Sequence, residues 1–185
     1  MNRQDAKAAK NSGMVQDARI EPVTEADVER LVALAREIWL AHYPAIISNA
    51  QIEYMLAQRY EPRVVRAELG RGGIWWDKLM VDTAMAGFAS YFLTGARGEM
   101  KLDKLYVHPA HQRHGHGGRM IARACAVARE QGCDRLVLAV NKGNREAIAA
   151  YRKHGFQVTD AVVKDIGSGF VMDDYILVRP VAKGG

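Results

Sequence analysis

Residues 102–118, LDKLYVHPAHQRHGHGG, decide the interpretation of this chain, because they join an apolar strand to a glycine-spaced turn. Residues 119–131, RMIARACAVAREQ, contain good helix formers and no Pro or Gly, so the turn leads into a helix. The first turn of a helix offers free backbone N–H groups and the positive end of the helix dipole. Glycines let a phosphate approach the backbone closely, so this segment predicts a phosphate-binding loop.

Two common nucleotide-binding loops do not fit this segment. A Walker loop needs Lys and then Ser or Thr after its last glycine, whereas Gly118 is followed by Arg119 and Met120. A dinucleotide fingerprint needs the spacing G-x-G-x-x-G, which the glycines at 115, 117 and 118 do not have. What is left is a Gln-x-x-Gly-x-Gly loop that follows a strand.

A second pattern follows the predicted phosphate loop. Residues 134–140, DRLVLAV, predict a short buried strand, and residues 141–156 predict a turn, a helix and a stop at Gly155. Helix positions seven apart lie on nearly one face, about 10 Å apart along the axis. Asn144, Ala147 and Tyr151 therefore form one stripe on this helix.

Together, Gln-x-x-Gly-x-Gly and Asn-x-x-Ala-x-x-x-Tyr-x-x-x-Gly-Phe resemble the two signatures of the GNAT superfamily of acetyl-CoA-dependent N-acetyltransferases. The resemblance covers residues 20–180 and is strongest over residues 102–156. It implies an α/β fold with a mixed, mostly antiparallel central sheet flanked by helices. It also implies that two central strands splay apart and that acetyl-CoA enters the gap between them as cosubstrate.

The resemblance also implies which residues form the site. Tyr151 would be the catalytic acid beside the thioester sulfur, and this role is favoured over that of an aromatic residue packed against the sheet. Asn144 would meet the pantetheine arm, and it also suits a helix N-cap. The implied cofactor-binding residues are Leu105, Tyr106 and Val107 through strand backbone, Gln112, Arg113, His114, Gly115, His116, Gly117 and Gly118 in the loop, and Asn144.

The general base is left open by the sequence. An alkyl amine with a pKa of about 10 is neutral in about one molecule in a thousand at pH 7, so a base or a pKa-lowering pocket matters. Glu99 and Asp103 lie on one face of the strand that leads into the loop, where the family often places a carboxylate. A water wire that ends at a backbone carbonyl is the third alternative.

The acceptor is predicted from residues 38–56, IWLAHYPAIISNAQIEYML, which resemble the first two helices of polyamine-type acetyltransferases. A small polyamine-like amine is favoured over a protein or peptide amine. Four residues of this segment either line an acceptor pocket or pack over the sheet as part of an amphipathic helix that buries its aromatic rings. They are Trp39, Tyr43, Gln51 and Tyr54. Asp173 and Asp174 either attract a cationic amine or form an exposed pair on the last strand.

A second class of function stays open, because fold does not fix function. The alternative is a non-catalytic module with the same fold that binds acyl-CoA or RNA. Tyr151 and the intact loop favour the enzyme. The net charge of +5 is mostly dispersed, and no basic tract interleaved with aromatics is present, so we do not expect a nucleic-acid partner.

Composition bounds the remaining expectations. We expect a flexible tail over residues 1–18 and one domain over residues 19–182. We also expect a cytoplasmic protein, because the chain has neither an apolar run of membrane length nor a signal-peptide core. Cys125 and Cys133 are too few for a disulfide framework, and we expect Cys125 to be a reduced core thiol. We expect no metal, with the loop histidines mostly pointing to solvent. A homodimer is left open.

Overall fold

The computed structural model describes residues 17–182. The strands are β1 (Ala18–Pro22), β2 (Ile74–Val81), β3 (Ala84–Leu93), β4 (Glu99–Val107), β5 (Arg135–Asn141), β6 (Gln157–Gly167) and β7 (Phe170–Pro180). The helices are α1 (Val28–His42), α2 (Asn49–Arg59), α3 (Pro62–Leu69), α4 (His116–Glu130) and α5 (Arg145–Lys153). The predicted tail falls on residues outside the described range except for its last two residues, and Ala18 already begins β1.

Local chemistry explains where the first helices begin. Thr24 and Asp27 form a capping box before α1, in which the Thr24 N–H donates to Asp27 Oδ2 at 2.8 Å. Ser48 caps α2 by accepting the Gln51 N–H at 3.2 Å. Pro62 separates α2 from α3, since it is the first residue of α3, where its missing N–H costs nothing.

The seven strands form one sheet in the order β1-β2-β3-β4-β5-β7-β6. Every neighbouring pair is antiparallel except β4 and β5, so the predicted mixed, mostly antiparallel sheet is confirmed. β4 and β5 pair only from Glu99↔Arg135 to Lys101↔Val137. Beyond these residues both strands continue without pairing to each other, so a gap opens in the middle of the sheet.

A bulge in β4 lies where the gap begins. Leu102 pairs with Tyr91 and Lys104 with Ser90, so Asp103 is an extra residue on β4. A bulge bends its strand and increases its twist, which turns the end of β4 away from β5. It also exchanges the two faces of the strand, because Leu102 and Leu105 pack on one core while Tyr106 packs on the other.

Two apolar cores cover the two faces of the sheet. The first lies under α4 and α5 and includes Met120, Ile121 and Ile148. The second lies under α1, α2 and α3 and includes Leu31 and Ile52. Helices therefore flank both faces, as the resemblance implied.

Both cysteines are buried free thiols in the first core. Burial raises the pKa of Cys125 and of Cys133, which keeps both in the unreactive thiol form at neutral pH. The expectation of a reduced core thiol at Cys125 is confirmed. None of the helices in the described residues is long and apolar enough to span a bilayer.

Candidate active site

The predicted phosphate loop forms a tight left-handed turn between β4 and α4. Gly115 is the N-cap of α4 with a φ of 80°, and Arg113 has a φ of 67°. The left-handed region suits glycine, so Gly115 can end the turn without strain. Gln112 ties the loop to the strand, because its Nε2 donates to the carbonyl of Val107 at 2.9 Å. The first-turn N–H groups of α4 thus lie beside the end of β4.

The glycines of the loop have different surroundings. A Cβ on Gly118 would lie 2.5 Å from Cε1 of His154, so this glycine lets α4 pack against the end of α5. A Cβ on Gly117 would meet nothing within 4 Å, and the same holds for Gly115. Gly118 therefore has a packing role, whereas Gly117 leaves open space at the N-terminus of α4, where an anion can approach.

The loop histidines do not all point to solvent, and His116 is an exception to the expectation. His114 is exposed, but His116 is only 6% exposed, and neither of its ring nitrogens has a hydrogen-bond partner among the described residues. The reason is helical periodicity, since His116 shares the buried face of α4 with Met120 and Ala124. Burial, followed by the charges of Arg119 and His114, lowers the pKa of His116, so the ring is neutral at pH 7.

His108, which lies before the helix, has structural contacts. His108 Nε2 lies 2.9 Å from Glu37 Oε1, and its Nδ1 accepts the Ala110 N–H at 3.2 Å. Within residues 17–182, no three His, Cys, Asp or Glu side chains converge as a metal ion would need.

The basic side chains around the loop have different partners. Arg119 donates to the carbonyl of Ala18 at 2.6 Å, and Lys142 pairs with Asp173 at 2.5 Å. Arg113 is exposed and makes no hydrogen bond or ion pair to residues 17–182. Of these three basic residues, Arg113 is therefore the one whose charged group is free to bind a phosphate.

The backbone of β4 offers its free groups to the gap at alternate residues. The His108 N–H donates to the carbonyl of Ala86 on β3 at 2.8 Å. Because backbone direction alternates along a strand, Tyr106 also faces β3, while Leu105 and Val107 face the gap. The prediction of backbone bonds from all three residues therefore needs correction at Tyr106. That residue contributes its side chain instead, with its hydroxyl 3.2 Å from the hydroxyl of Tyr43.

Asn144 and Tyr151 lie on α5 as predicted. Asn144 is buried and caps the helix by accepting the Ala147 N–H at 3.2 Å, so the capping alternative is correct for its Oδ1. Tyr151 is half-buried and meets Phe156 edge-on with ring centroids 5.5 Å apart. Burial, with a smaller effect from Tyr43, raises the pKa of Tyr151 above its usual range, so its hydroxyl carries a proton at neutral pH.

Neither of the two base candidates on β4 is free. Glu99 accepts from Arg135 Nε at 3.0 Å and from the Thr94 hydroxyl at 2.9 Å. Asp103 accepts from Arg59 at 2.6 Å and from Lys104 at 2.7 Å.

The charges around Asp103 also make it a weak base. Burial alone would raise the pKa of Asp103, but Arg59 and Lys104 together hold it well below the usual range. A carboxylate so strongly stabilised as the anion takes a proton poorly, so Asp103 is excluded as the base.

Some of the predicted acceptor residues have structural contacts, and others lie at the gap between β4 and β5. Trp39 is 2% exposed and belongs to the second core. Gln51 donates to the carbonyl of Val171 at 2.8 Å and Tyr54 to that of Ile166 at 2.6 Å, so both tie α2 to the β6–β7 hairpin. Tyr43 contacts the β4 side chain of Tyr106 at the gap through its hydroxyl, and Trp39 packs near the same ring, with centroids 6.1 Å apart.

Two features of the site were not predicted as such. The Tyr43–Tyr106 hydroxyl pair depends on the bulge in β4, which exchanges the faces of the strand after Leu102. Asp174 is buried, whereas Asp173 is exposed. Consecutive acidic residues on a strand must point to opposite faces, so the sequence contained a signal that one of them is covered.

The comparisons with known proteins agree with this geometry. The Acetyltransferase (GNAT) family model matches residues 31–156, more than half of the chain. The chain therefore belongs to the acetyltransferase (GNAT) family, and the predicted enzyme class, an acyltransferase, is confirmed.

The individual relatives and solved structures that match have low sequence identity to this chain, between 23% and 35% for three of them. The chain is 27% identical over 151 residues to the spermidine N(1)-acetyltransferase of Thermoplasma acidophilum, with 80% of this chain and 90% of that protein covered. It is 35% identical over 75 residues to the streptothricin acetyltransferase of Streptomyces lavendulae, or 40% of each chain. The crystal structure of the PaiA N-acetyltransferase of Thermoplasma acidophilum in complex with coenzyme A superimposes with a TM-score of 0.77 at 23% identity, covering 88% of this chain and 98% of that one.

Proposed function

We propose that this protein acetylates a primary amine of a small, polyamine-like molecule by direct attack on acetyl-CoA in a ternary complex. The observation that carries the proposal is the gap between β4 and β5, which has the N-terminus of α4 on one side and the Tyr43–Tyr106 pair on the other. A cosubstrate in the gap would be open to an acceptor from the side that α1 and α2 cover. The relative named a spermidine N(1)-acetyltransferase supports a polyamine acceptor.

The cofactor side of the site has the donors that acetyl-CoA needs. The pyrophosphate would lie on the first turn of α4 beside Gly117, where the helix dipole and free N–H groups favour an anion. The free guanidinium of Arg113 would add a bidentate contact. Leu105 and Val107 direct backbone groups into the gap, where the amides of pantetheine can pair with them as an extra strand would.

The chemistry at the thioester needs a polarised carbonyl and a proton for the leaving sulfur. A backbone N–H of β4 at the gap would stabilise the oxyanion as the amine adds to the carbonyl carbon. Tyr151 would donate its proton to the thiolate as the C–S bond breaks. Burial raises the pKa of Tyr151, so the hydroxyl is protonated at neutral pH and can donate to the sulfur as charge develops there.

The function is tested by calorimetric titration of acetyl-CoA into the protein, followed by release of free thiol with a panel of amines. The panel contains spermidine, spermine and putrescine, with a peptide that has a free α-amine for comparison. We expect acetyl-CoA to bind, NAD not to bind, and the polyamines to be turned over in preference to the peptide. Binding of acetyl-CoA without turnover of any amine would instead support a non-catalytic module, and turnover of the peptide alone would overturn the acceptor.

A substitution at Gly117 tests the phosphate loop. Gly117→Asp should weaken acetyl-CoA binding at least tenfold, because it brings an anion to the helix end where the pyrophosphate would lie. Gly117→Asn is the matched control, since it has nearly the same size without the charge, and its loss should be clearly smaller. Calorimetry measures both, and thermal unfolding checks that the fold is kept. Equal affinities for the Asp variant and the unmodified protein would mean that the loop does not hold the phosphates.

A further inference from the structure

Asp174 is a buried carboxylate with an unused oxygen. It is 9% exposed, and its buried Oδ1 has no hydrogen-bond partner within residues 17–182. Its neighbour Asp173 is exposed and pairs with Lys142, as expected of an ordinary surface residue. A buried carboxylate oxygen without a donor costs free energy, so its retention in a covered position calls for a ligand that supplies the donor.

The position of Asp174 in the sheet places it beside the gap. It pairs with Asn141, the last residue of β5, at the end of that strand which has separated from β4. Met172, two residues earlier on β7, packs in the second core under α1 and α2. Because alternate residues share a face, Asp174 also lies on the side from which the acceptor would enter.

The groups around Asp174 belong to the same site. Lys101, Arg59 and Lys142 act on its charge, but none of them forms an ion pair with it in the described part of the chain. Lys101 and Arg59 both pair with Asp103 instead. Asp174 therefore has no cationic partner among the described residues.

Asp174 acts electrostatically on a tyrosine of the proposed site. The Asp174 carboxylate contributes to raising the pKa of Tyr43, mainly a result of burial, and Tyr43 does the same to Tyr151. Burial and Asp173 raise the pKa of Asp174 itself, which makes it a better proton acceptor than an ordinary aspartate.

We infer that Asp174 binds the acceptor's ammonium group and takes its proton before attack. This inference rests on the proposed function, since it assigns the base of that reaction. It favours Asp174 over Glu99 and Asp103 because both of those carboxylates are already held by protein cations.

The proton balance of the reaction is complete with these groups. Asp174 takes one proton from R–NH3+ and later releases it to water. The nitrogen lone pair of R–NH2 then forms the C–N bond, and the C=O electron pair moves onto oxygen. When that pair returns, the C–S bond breaks and Tyr151 protonates the thiolate. The second proton leaves nitrogen as the amide forms and replaces, through water, the one that Tyr151 gave, so one proton is released per turnover.

The test is the pH profile of kcat/KM for Asp174→Asn with spermidine as acceptor. At pH 7 we expect at least a hundredfold loss, with the Kd for acetyl-CoA unchanged within about twofold. Between about pH 6.5 and 9 the unmodified enzyme should be nearly flat, whereas the variant should gain about tenfold per pH unit, because only the free amine then reacts. Asp160→Asn, an exposed position on the same hairpin, removes the same charge and should keep the unmodified profile.

The outcomes separate this inference from the function on which it rests. An unmodified enzyme that turns over no polyamine contradicts the proposed function. An active enzyme whose Asp174→Asn variant keeps both rate and profile contradicts only the role of Asp174. If the Asp174→Asn variant fails to bind acetyl-CoA, the pH profile of the unmodified enzyme tests the role of Asp174 by itself. A kcat/KM of the unmodified enzyme that rises tenfold per pH unit over this range would show that no carboxylate takes the proton.

Discussion

Tyr151→Phe should lower kcat by one to three orders of magnitude while the Kd for acetyl-CoA changes little. The hydroxyl is needed mainly when negative charge develops on the leaving sulfur, so its removal costs transition-state stabilisation and little ground-state binding. Such a loss corresponds to about 1.4–4 kcal/mol of activation free energy. The ring would keep its packing against Phe156, because phenylalanine fills the same space.

Single-turnover kinetics and calorimetry measure the two quantities separately. Tyr175→Phe is the matched control, since it removes a phenol on β7 that has a cation contact with Lys142 and no place in the proposed chemistry. We expect that control to keep kcat within about threefold. A Tyr151→Phe variant whose kcat is kept, or whose Kd worsens as much as its kcat, would rule out the acid role and leave Tyr151 as a packing residue.

The order of helices and strands could be predicted because each element carries a local signal. Hydrophobic periodicity marked the strands and α4, Pro62 marked the break between α2 and α3, and Thr24 with Asp27 marked the start of α1. These signals act within a few residues, so they need no tertiary information. The glycine loop and the Asn144–Tyr151 stripe could be placed for the same reason.

The face of each β4 residue could not be predicted. Residues 99–102, EMKL, alternate as a regular strand would, but Asp103 and Lys104 are consecutive polar residues and residues 105–107 are all apolar. The alternation therefore breaks at Asp103, but the sequence does not show that Asp103 is an extra residue on the strand. A single bulge exchanges the faces of all later positions, which puts Tyr106 beside Tyr43 and Lys104 under α3. The bulge depends on pairing with β3 and on separation from β5, and both are long-range properties.

The sequence also did not allow us to predict which polar side chains are buried. His116 resembles a solvent-exposed loop residue until the start of α4 fixes it on the buried face of that helix. From the sequence alone, Asp173 and Asp174 resemble two exposed acidic residues. In the structure, α2 covers one face of β7, where Gln51 donates to the carbonyl of Val171, and Asp174 lies on the covered face. The contacts that bury His116 and Asp174 come from distant parts of the chain, so composition and spacing alone do not reveal them.

Asp103→Asn should destabilise the fold by about 3 kcal/mol at pH 7, because it leaves buried cations without their anion. The Asp103 carboxylate holds Arg59 at 2.6 Å and Lys104 at 2.7 Å, and the Lys104 side chain is 3% exposed. Glu68, at 3.5 Å from the Lys104 ammonium, compensates only in part. Urea unfolding measures the change as a lower midpoint with an unchanged slope.

The pH dependence of this loss distinguishes charge from packing. The pKa of Asp103 is lowered in the folded state, so its stabilisation is fully present above the unfolded value of about 3.9 and is lost as pH falls below it. The difference in unfolding free energy between the unmodified protein and Asp103→Asn should therefore shrink below about pH 4. Glu53→Gln breaks the exposed pair with Arg36 and should change stability little at any pH. An Asp103→Asn variant as stable as Glu53→Gln would show that this network does not hold β4 at the gap.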